Sequence, residues 1–281
     1  MKNFLALFLI LFSSFASSEA VRLDNLNAYY QAQPVISDSL FIILHGTRGH
    51  QNLEIITSLR DSLYDNGIDS LSINLSYGIK NRENDFLPCD IEHRHTVENS
   101  LNEIERWYEY IKEKDYQNIY LIGHSRGGLD IINFYRYLNV KEQASINSIF
   151  LLAPISDNNI ENAINYKKKD NIDIALINNN DKLIIDFLGC EDANVTGESF
   201  RSYYHNIGTT NILDSLATAT TKVYIITASD DTVAPLSHNR IKEFIKSKNN
   251  LELYMIDGAD HFFRDFYFDD LIEFILDKLD Q

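Results

Sequence analysis

The sequence predicts an α/β fold with a mostly parallel central sheet and helices on both faces. Short apolar runs of strand length alternate with longer stretches in which apolar residues recur every three or four positions. This alternation is typical of parallel strands joined by crossover helices. The chain has 281 residues, of which 44% are hydrophobic, and this is enough for one domain with a large buried core.

The first predicted strands and helices lie before residue 125. Ser39–Leu44 is a continuous apolar run that suits a buried central strand, Leu71–Leu75 alternates apolar and polar residues, and Asn118–Ile122 is again apolar. The helices between these strands are indicated by apolar stripes at helical spacing: Leu53, Ile56, Leu59 and Leu63, then Val97, Leu101, Ile104, Tyr108 and Ile111. Each strand-helix-strand unit is expected to cross over right-handed.

The second half of the chain continues the alternation after a long interruption. A helix follows Gly127, and three strands are predicted at Ile146–Leu152, Val223–Thr227 and Leu251–Ile256. Residues from about 156 to 221 do not alternate and are rich in Asn and Lys. Because a connection of that length is usually a functional insertion, we expect a cap or lid over the strand ends.

The N-terminal residues 1–20 have the pattern of a secretory signal peptide. Lys2 is followed by an apolar run from Phe4 to Phe12, and small and polar residues lead to Ala20. This run is too short to span a membrane. We therefore expect a mature chain of residues 21–281, exported to the periplasm or the medium without a stable membrane anchor. A retained N-terminal anchor is the alternative.

Charge and cysteine content restrict the partners and the compartment. The formal net charge of -16 disfavours binding to nucleic acid or to anionic lipid, because both would repel the protein surface. The two cysteines, Cys89 and Cys190, can form a disulfide in an exported protein. Two unrelated thiols remain the alternative, since the sequence does not show whether the sulfurs meet.

A nucleophile motif follows the strand at Asn118–Ile122. Gly123-His124-Ser125-Arg126-Gly127 matches the pattern G-x-S-x-G, in which a strand turns sharply into a helix and presents a serine at the turn. Small residues two positions either side of Ser125 let the backbones pass each other. The position between a predicted strand and a predicted helix is the context that this motif requires.

A serine nucleophile needs a base, and the base needs an acid. His261 follows the last predicted strand in Gly258-Ala259-Asp260-His261, so it is the candidate base. Asp231 follows the preceding strand and is the candidate acid, with Asp230 as the runner-up. The resulting chain order of serine, acid and histidine is that of a known type of catalytic triad.

An oxyanion hole should accompany such a triad. One donor is expected to be the backbone N–H of Arg126, directly after the serine. The other is expected to be the backbone N–H of Thr47, in the segment His45-Gly46-Thr47-Arg48-Gly49 after the first central strand. A plain turn is the competing interpretation of this segment.

Together these motifs resemble the α/β-hydrolase superfamily, from Ser39 to the end of the chain. The resemblance implies an eight-stranded, mostly parallel sheet, with the insertion at about 156–221 after the family's sixth strand. Little chain precedes Ser39, so the first one or two family strands are expected to be missing, reduced or irregular. The resemblance specifies mechanism better than substrate.

The predicted function is an exported serine hydrolase that cleaves carboxylic esters through an acyl-enzyme. The expected partner is a small-molecule acyl substrate, with no cofactor and no metal. Asp90, His93 and His95 could be read as metal ligands, but polar residues at a helix start explain them equally well. A peptidase or acyltransferase with the same triad, or a binding protein on this fold, are the alternatives; oligomeric state is left open.

Overall fold

The computed structural model describes residues 18–35, 37–156, 172–204, 211–235 and 237–279. The strands in this part are β1 Ser18–Leu23, β2 Leu26–Gln31, β3 Ser39–Leu44, β4 Asp69–Ile73, β5 Glu92–His93, β6 Asn118–His124, β7 Ile146–Leu152, β8 Lys182–Phe187, β9 Cys190–Thr196, β10 Lys222–Ala228 and β11 Leu251–Ile256. The α-helices are α1 Glu54–Asp65, α2 Val97–Lys112, α3 Arg126–Tyr137, α4 Val140–Gln143, α5 Gly197–Tyr204, α6 Ile212–Thr218, α7 Ser237–Phe244 and α8 Tyr267–Asp277.

The main sheet has eight strands in the spatial order β1-β2-β4-β3-β6-β7-β10-β11. The strands from β4 to β11 in this order are parallel, and β1 and β2 add an antiparallel hairpin at one edge. The predicted fold class, a mostly parallel sheet with helices on both faces, is confirmed. The carboxyl ends of β3, β6, β10 and β11 therefore lie along one edge of the sheet.

The expectation that the first one or two family strands are missing, reduced or irregular is wrong, because β1 and β2 are both present in the sheet. β1 and β2 pair along their whole length, from Ser18 opposite Gln31 to Leu23 opposite Leu26. Leu26 and Ala28 are buried, whereas β1 is largely exposed and is held chiefly by backbone pairing. β1 begins at Ser18 and so overlaps the end of the predicted signal peptide; the rest of that segment lies outside the described residues.

Two hydrophobic cores cover the two faces of the sheet. In β3, Ile42 and Leu44 belong to one core, and Phe41 and Ile43 belong to the other. The first core includes apolar residues of α2 and α3, and the second includes those of α1 and α8. Each large apolar side chain buried in this way contributes roughly 1.5–3 kcal/mol. The sheet is thus fixed from both sides, which holds the ends of its strands in place.

The region predicted as an insertion is attached to the loop after β4 by strand pairing and by a disulfide, among other contacts. A second, three-stranded sheet has the order β5-β9-β8, with His93 paired to Val195. Cys89 and Cys190 form a disulfide, with their Cα atoms 5.4 Å apart. Among the described helices, none is long and apolar enough to cross a membrane.

Replacing both cysteines with alanine is expected to lower the free energy of unfolding by about 2–4 kcal/mol, because the disulfide restricts the unfolded chain. The bond joins residues 101 positions apart, so it closes a long loop. Urea denaturation of the double variant and of reduced wild type, followed by circular dichroism, measures the effect. Alkylation of both thiols in wild type without prior reduction would show that the bond is not formed.

Candidate active site

Ser125 lies at a sharp turn between β6 and α3. Its backbone has φ 56° and ψ -121°, a conformation that costs free energy in a residue other than glycine. The turn is held by the Ser125 N–H, which donates to the Leu152 carbonyl at 2.8 Å, and by the Ser125 carbonyl, which accepts from Gly128 N–H at 3.0 Å. The serine side chain is thereby fixed at the carboxyl end of β6.

The two glycines of the motif allow the backbones to approach closely. A Cβ at Gly123 would lie 2.3 Å from the Gly127 carbonyl oxygen, and a Cβ at Gly127 would lie 2.4 Å from the His45 carbonyl oxygen. Both distances are far below van der Waals contact and involve backbone atoms. The motif is therefore required by the packing of α3 against β6 and against the segment after β3.

His261 and Asp231 form a buried pair in the loops after β11 and β10. His261 Nδ1 lies 2.8 Å from Asp231 Oδ2, and the two residues are only 4% and 8% exposed. The other carboxylate oxygen, Oδ1, accepts hydrogen bonds from the N–H groups of Val233 and Ala234, both at 2.8 Å. With both oxygens held, the carboxylate fixes the histidine ring with Nδ1–H as donor and Nε2 as acceptor.

The surroundings of Asp231 favour its charged form. Burial alone would raise the pKa of this carboxyl, but the hydrogen bonds from His261, Ala234 and Val233 and the charge of His261 lower the pKa below its ordinary value. Asp231 therefore carries a negative charge at neutral pH. A fixed carboxylate beside Nδ1 can stabilise an imidazolium that forms during a reaction.

His124 contacts the backbone and the ring of His261, a role that sequence reasoning missed. Its Nε2–H donates to the His261 carbonyl oxygen at 2.8 Å, and the two ring centroids are 4.9 Å apart. Burial lowers the pKa of His124 to about 4, with the charge of His261 adding to the effect. The ring therefore stays neutral at neutral pH. In the sequence, only the position of His124 directly before Ser125 pointed to this role.

Ser125 and His261 line one cleft of about 560 Å³. Most of the other lining side chains are apolar or aromatic: Leu53, Ile55, Phe86, Val233, Phe262, Phe263 and Phe268. Among the described residues, the His261 ring is hydrogen-bonded to Asp231, and no hydrogen bond joins it to the Ser125 hydroxyl. None of the described residues between 172 and 221 lines the cleft. The sequence did not predict this aromatic lining.

The two residues predicted as oxyanion donors are both close to Ser125, Thr47 through its turn and Arg126 as the next residue in the chain. Thr47 lines the cleft in a turn closed by a hydrogen bond from Gly49 N–H to the Gly46 carbonyl at 3.0 Å. A Cβ at Gly46 would lie 3.0 Å from Ser125 Cβ, so the turn passes close to the serine. Arg126 is the first residue of α3, where backbone N–H groups have no partner within the helix.

The remaining sequence candidates lie elsewhere. The Asp230 side chain is exposed and accepts from Ser229 Oγ. Asp260, the residue before His261, pairs with Arg264. His93 and His95 are buried, and both pack against Phe187 of β8. Within the described residues, no group of three or more His, Cys, Asp or Glu side chains could hold a metal ion.

Comparison with known families places the chain in one of them. A family model described as a protein of unknown function, DUF1749, matches residues 95–273. The chain belongs to this family. The matched segment contains Ser125, Asp231 and His261, whereas the turn around Thr47 precedes it. No curated protein matches the sequence.

Solved structures share the fold over nearly the whole chain. Est1E from Butyrivibrio proteoclasticus is 21% identical, with a TM-score of 0.67 and coverage of 94% of this chain and 99% of Est1E. A further structure of Est1E has ferulic acid bound. An esterase from Pyrococcus furiosus is 15% identical (TM-score 0.62, coverage 92% and 89%), and an α/β serine hydrolase homologue from Coxiella burnetii is 12% identical (TM-score 0.57, coverage 94% and 97%). The predicted α/β-hydrolase fold is confirmed.

Proposed function

We propose that the chain is an exported serine hydrolase that cleaves carboxylic esters. The observation that carries the proposal is that the strained Ser125 turn and His261 line the same cleft, while the buried Asp231 carboxylate holds His261 Nδ1 from behind. A serine, a base and a fixed acid in this order form the set that acyl transfer needs. The likeness in fold to esterases adds support, although a fold alone does not establish a function.

In the proposed reaction Ser125 Oγ attacks the acyl carbon and its proton passes to His261 Nε2. The negative charge on the former carbonyl oxygen is stabilised by the N–H groups of Thr47 and Arg126. His261 then gives its proton to the leaving alkoxide, so an alcohol departs and an acyl-serine ester remains. Water gives a proton to His261 and attacks this ester. The bond from the acyl carbon to Ser125 Oγ then breaks, the acid leaves, and His261 returns the proton to Ser125 Oγ.

The cleft lining favours substrates with an apolar and planar acyl group. Phe86 and Phe262 are 55% and 38% exposed, so the wall of the cleft offers aromatic faces. Aromatic rings stack favourably on one another in offset or edge-to-face arrangements. Ferulic acid, which is bound in one structure of Est1E, is a ligand of this class. We therefore propose small esters of aromatic acids as the substrate class.

Export is proposed from two features of the sequence and the structure. The residues 1–20 have the charged, apolar and small-residue parts of a signal peptide in the expected order. The Cys89–Cys190 disulfide is of a kind that persists in oxidising compartments and is rare in the cytosol of mesophiles.

A fluorophosphonate probe is expected to label the wild-type protein and not Ser125→Ala, because only an activated serine reacts with it. His261→Ala should lose labelling as well, whereas Ser58→Ala, which changes another serine of the same cleft, should keep it. Absence of labelling in folded wild type, or labelling that persists in Ser125→Ala, contradicts the proposal.

A panel of nitrophenyl esters and anilides then tests the substrate class. Phenylpropanoate and cinnamate esters are expected to react faster than straight-chain esters of similar size. Preference for anilides would indicate a peptidase, and transfer of the acyl group to an added alcohol in preference to water would indicate an acyltransferase.

A further inference from the structure

Arg82 is a buried arginine whose side chain contacts backbone carbonyls. It lies in the loop after β4 and is 5% exposed. Its Nη1 donates to the Leu75 carbonyl at 2.9 Å, and its Nη2 lies 3.0, 2.6 and 2.6 Å from the carbonyl oxygens of Arg48, Gly49 and Asp85. Among the described residues, Arg82 forms no ion pair with a carboxylate. Its hydrogen bonds are therefore directed to backbone that belongs to neither helix nor strand.

Two of these carbonyls belong to the turn that carries Thr47. Arg48 and Gly49 directly follow Thr47, and Arg48 has a positive φ of 57°. This conformation is disfavoured in a residue other than glycine, so the turn needs external support. Charged donors to carbonyls are among the stronger hydrogen bonds in proteins, and here they hold the turn from a separate loop.

A second set of contacts holds the same turn to the same loop. Arg48 Nε donates to the Leu87 carbonyl at 2.8 Å, and Leu87 N–H donates back to the Arg48 carbonyl at 2.9 Å. The guanidinium of Arg82 also lies over the Tyr77 ring, 5.1 Å from its centroid. The Thr47 turn and the loop of residues 77–89 thus form one unit.

We propose that Arg82 is a positioning residue that holds the Thr47 turn so that the Thr47 N–H points at the developing oxyanion. This role rests on the proposed function. Because the oxyanion exists only in the transition state, a loosened turn lowers kcat and leaves KM nearly unchanged. If Arg82 served the fold alone, its replacement would lower the free energy of unfolding but would not lower kcat at an unchanged KM.

The test compares Arg82→Lys with Arg60→Lys. Arg60 is the matched control, because it is similarly buried at 8% exposed but donates to Ser72 Oγ and stacks on Tyr29, away from the turn. Lysine at position 82 keeps the charge but cannot reach four carbonyls. We expect kcat for Arg82→Lys to fall about 10²-fold, as on loss of one oxyanion donor, with KM within about twofold. Arg60→Lys should keep wild-type kcat.

Hydrogen–deuterium exchange tests the positioning role without activity. The peptide of residues 44–53 should exchange faster in Arg82→Lys than in wild type, and at the wild-type rate in Arg60→Lys. Unchanged exchange in Arg82→Lys overturns the proposal, as does a change in KM alone. If the peptide exchanges faster in Arg82→Lys but the wild type hydrolyses no ester, the proposed function is contradicted. The catalytic part of the role of Arg82 is then contradicted as well.

A milder variant keeps the test decisive if Arg82→Lys does not fold. Arg48→Met removes the hydrogen bond to the Leu87 carbonyl from the turn itself, while Arg48 is only partly buried. It should lower kcat about tenfold, which corresponds to about 1.4 kcal/mol. Wild-type kcat and wild-type exchange in this variant would overturn the proposal.

Discussion

Asp231→Asn is expected to lower kcat about 10⁴-fold while leaving the fold intact. The asparagine oxygen can still accept from the N–H groups of Val233 and Ala234, so its amide nitrogen faces His261 Nδ1. An amide N–H at that position selects the ring form in which Nε2 carries the hydrogen. Such a ring cannot accept the proton of Ser125. Steady-state ester hydrolysis and circular dichroism measure the two parts of this prediction.

Asp230→Asn is the matched control for this variant. Asp230 is the neighbouring residue and was the alternative acid at the sequence level, but its side chain is exposed and contacts Ser229 Oγ. Its replacement should leave kcat within about twofold of wild type, as for most surface changes. Loss of activity in Asp230→Asn with an active Asp231→Asn would reverse the assignment of the acid.

Lowering the pH from 7 to 5 is expected to destabilise the protein by several kcal/mol. Burial lowers the pKa of His45 to about 3, of His95 to about 3 and of His124 to about 4. In the unfolded chain each of them has a pKa near 6.5. Between that value and the folded pKa the unfolded chain binds more protons, so stability rises with pH and is lost as pH falls below about 6.5.

The size of this effect follows from the pH interval. At pH 5 each histidine contributes a loss of about 2 kcal/mol, and the three together about 6 kcal/mol. Asp69 and Glu103, whose pKa values burial raises, act in the opposite direction and reduce the net loss. Since domains are stable by only about 5–15 kcal/mol, a marked fall in melting temperature is expected between pH 7 and pH 5.

His95→Phe isolates one histidine of the three. The ring lies among Tyr77, Phe187 and Tyr203, so phenylalanine suits its surroundings, although it loses the hydrogen bond to the Tyr203 hydroxyl. The loss in free energy of unfolding between pH 7 and pH 5 should be about 2 kcal/mol smaller in His95→Phe than in wild type. This difference does not depend on how the substitution changes the stability at pH 7. His50→Asn, at a partly exposed position where burial also lowers the pKa, should reduce the pH dependence less than His95→Phe does. Equal pH dependence in His95→Phe and wild type would contradict the explanation.

The sequence predicts those parts of the site that depend on neighbouring residues or on the order of the strands along the chain. The nucleophile motif can be read because two glycines and a serine lie within five residues between a strand and a helix. Asp231 and His261 could be placed because each follows a strand of the same parallel sheet. Strand ends in such a sheet meet at one edge, so chain position alone brings these residues together.

The parts that the sequence does not predict depend on contacts between distant segments. Arg82 has no motif around it, and its partners at Arg48 and Gly49 are found only when two loops pack. The β1–β2 hairpin was missed because β1 is mostly exposed and has little apolar pattern to detect. The aromatic wall of the cleft likewise combines Phe86 with residues 262–268.

The disulfide also determines how the chain can fold under oxidising conditions. The sequence has two cysteines, so one pairing is available within a chain, and exchange between alternative intramolecular bonds does not arise. The two residues are 101 positions apart and meet where β5 pairs with β9. The rate of intramolecular oxidation during refolding therefore reports the docking of β9 on the loop after β4. Disulfide-linked oligomers form from chains whose cysteines meet those of another chain before this docking occurs.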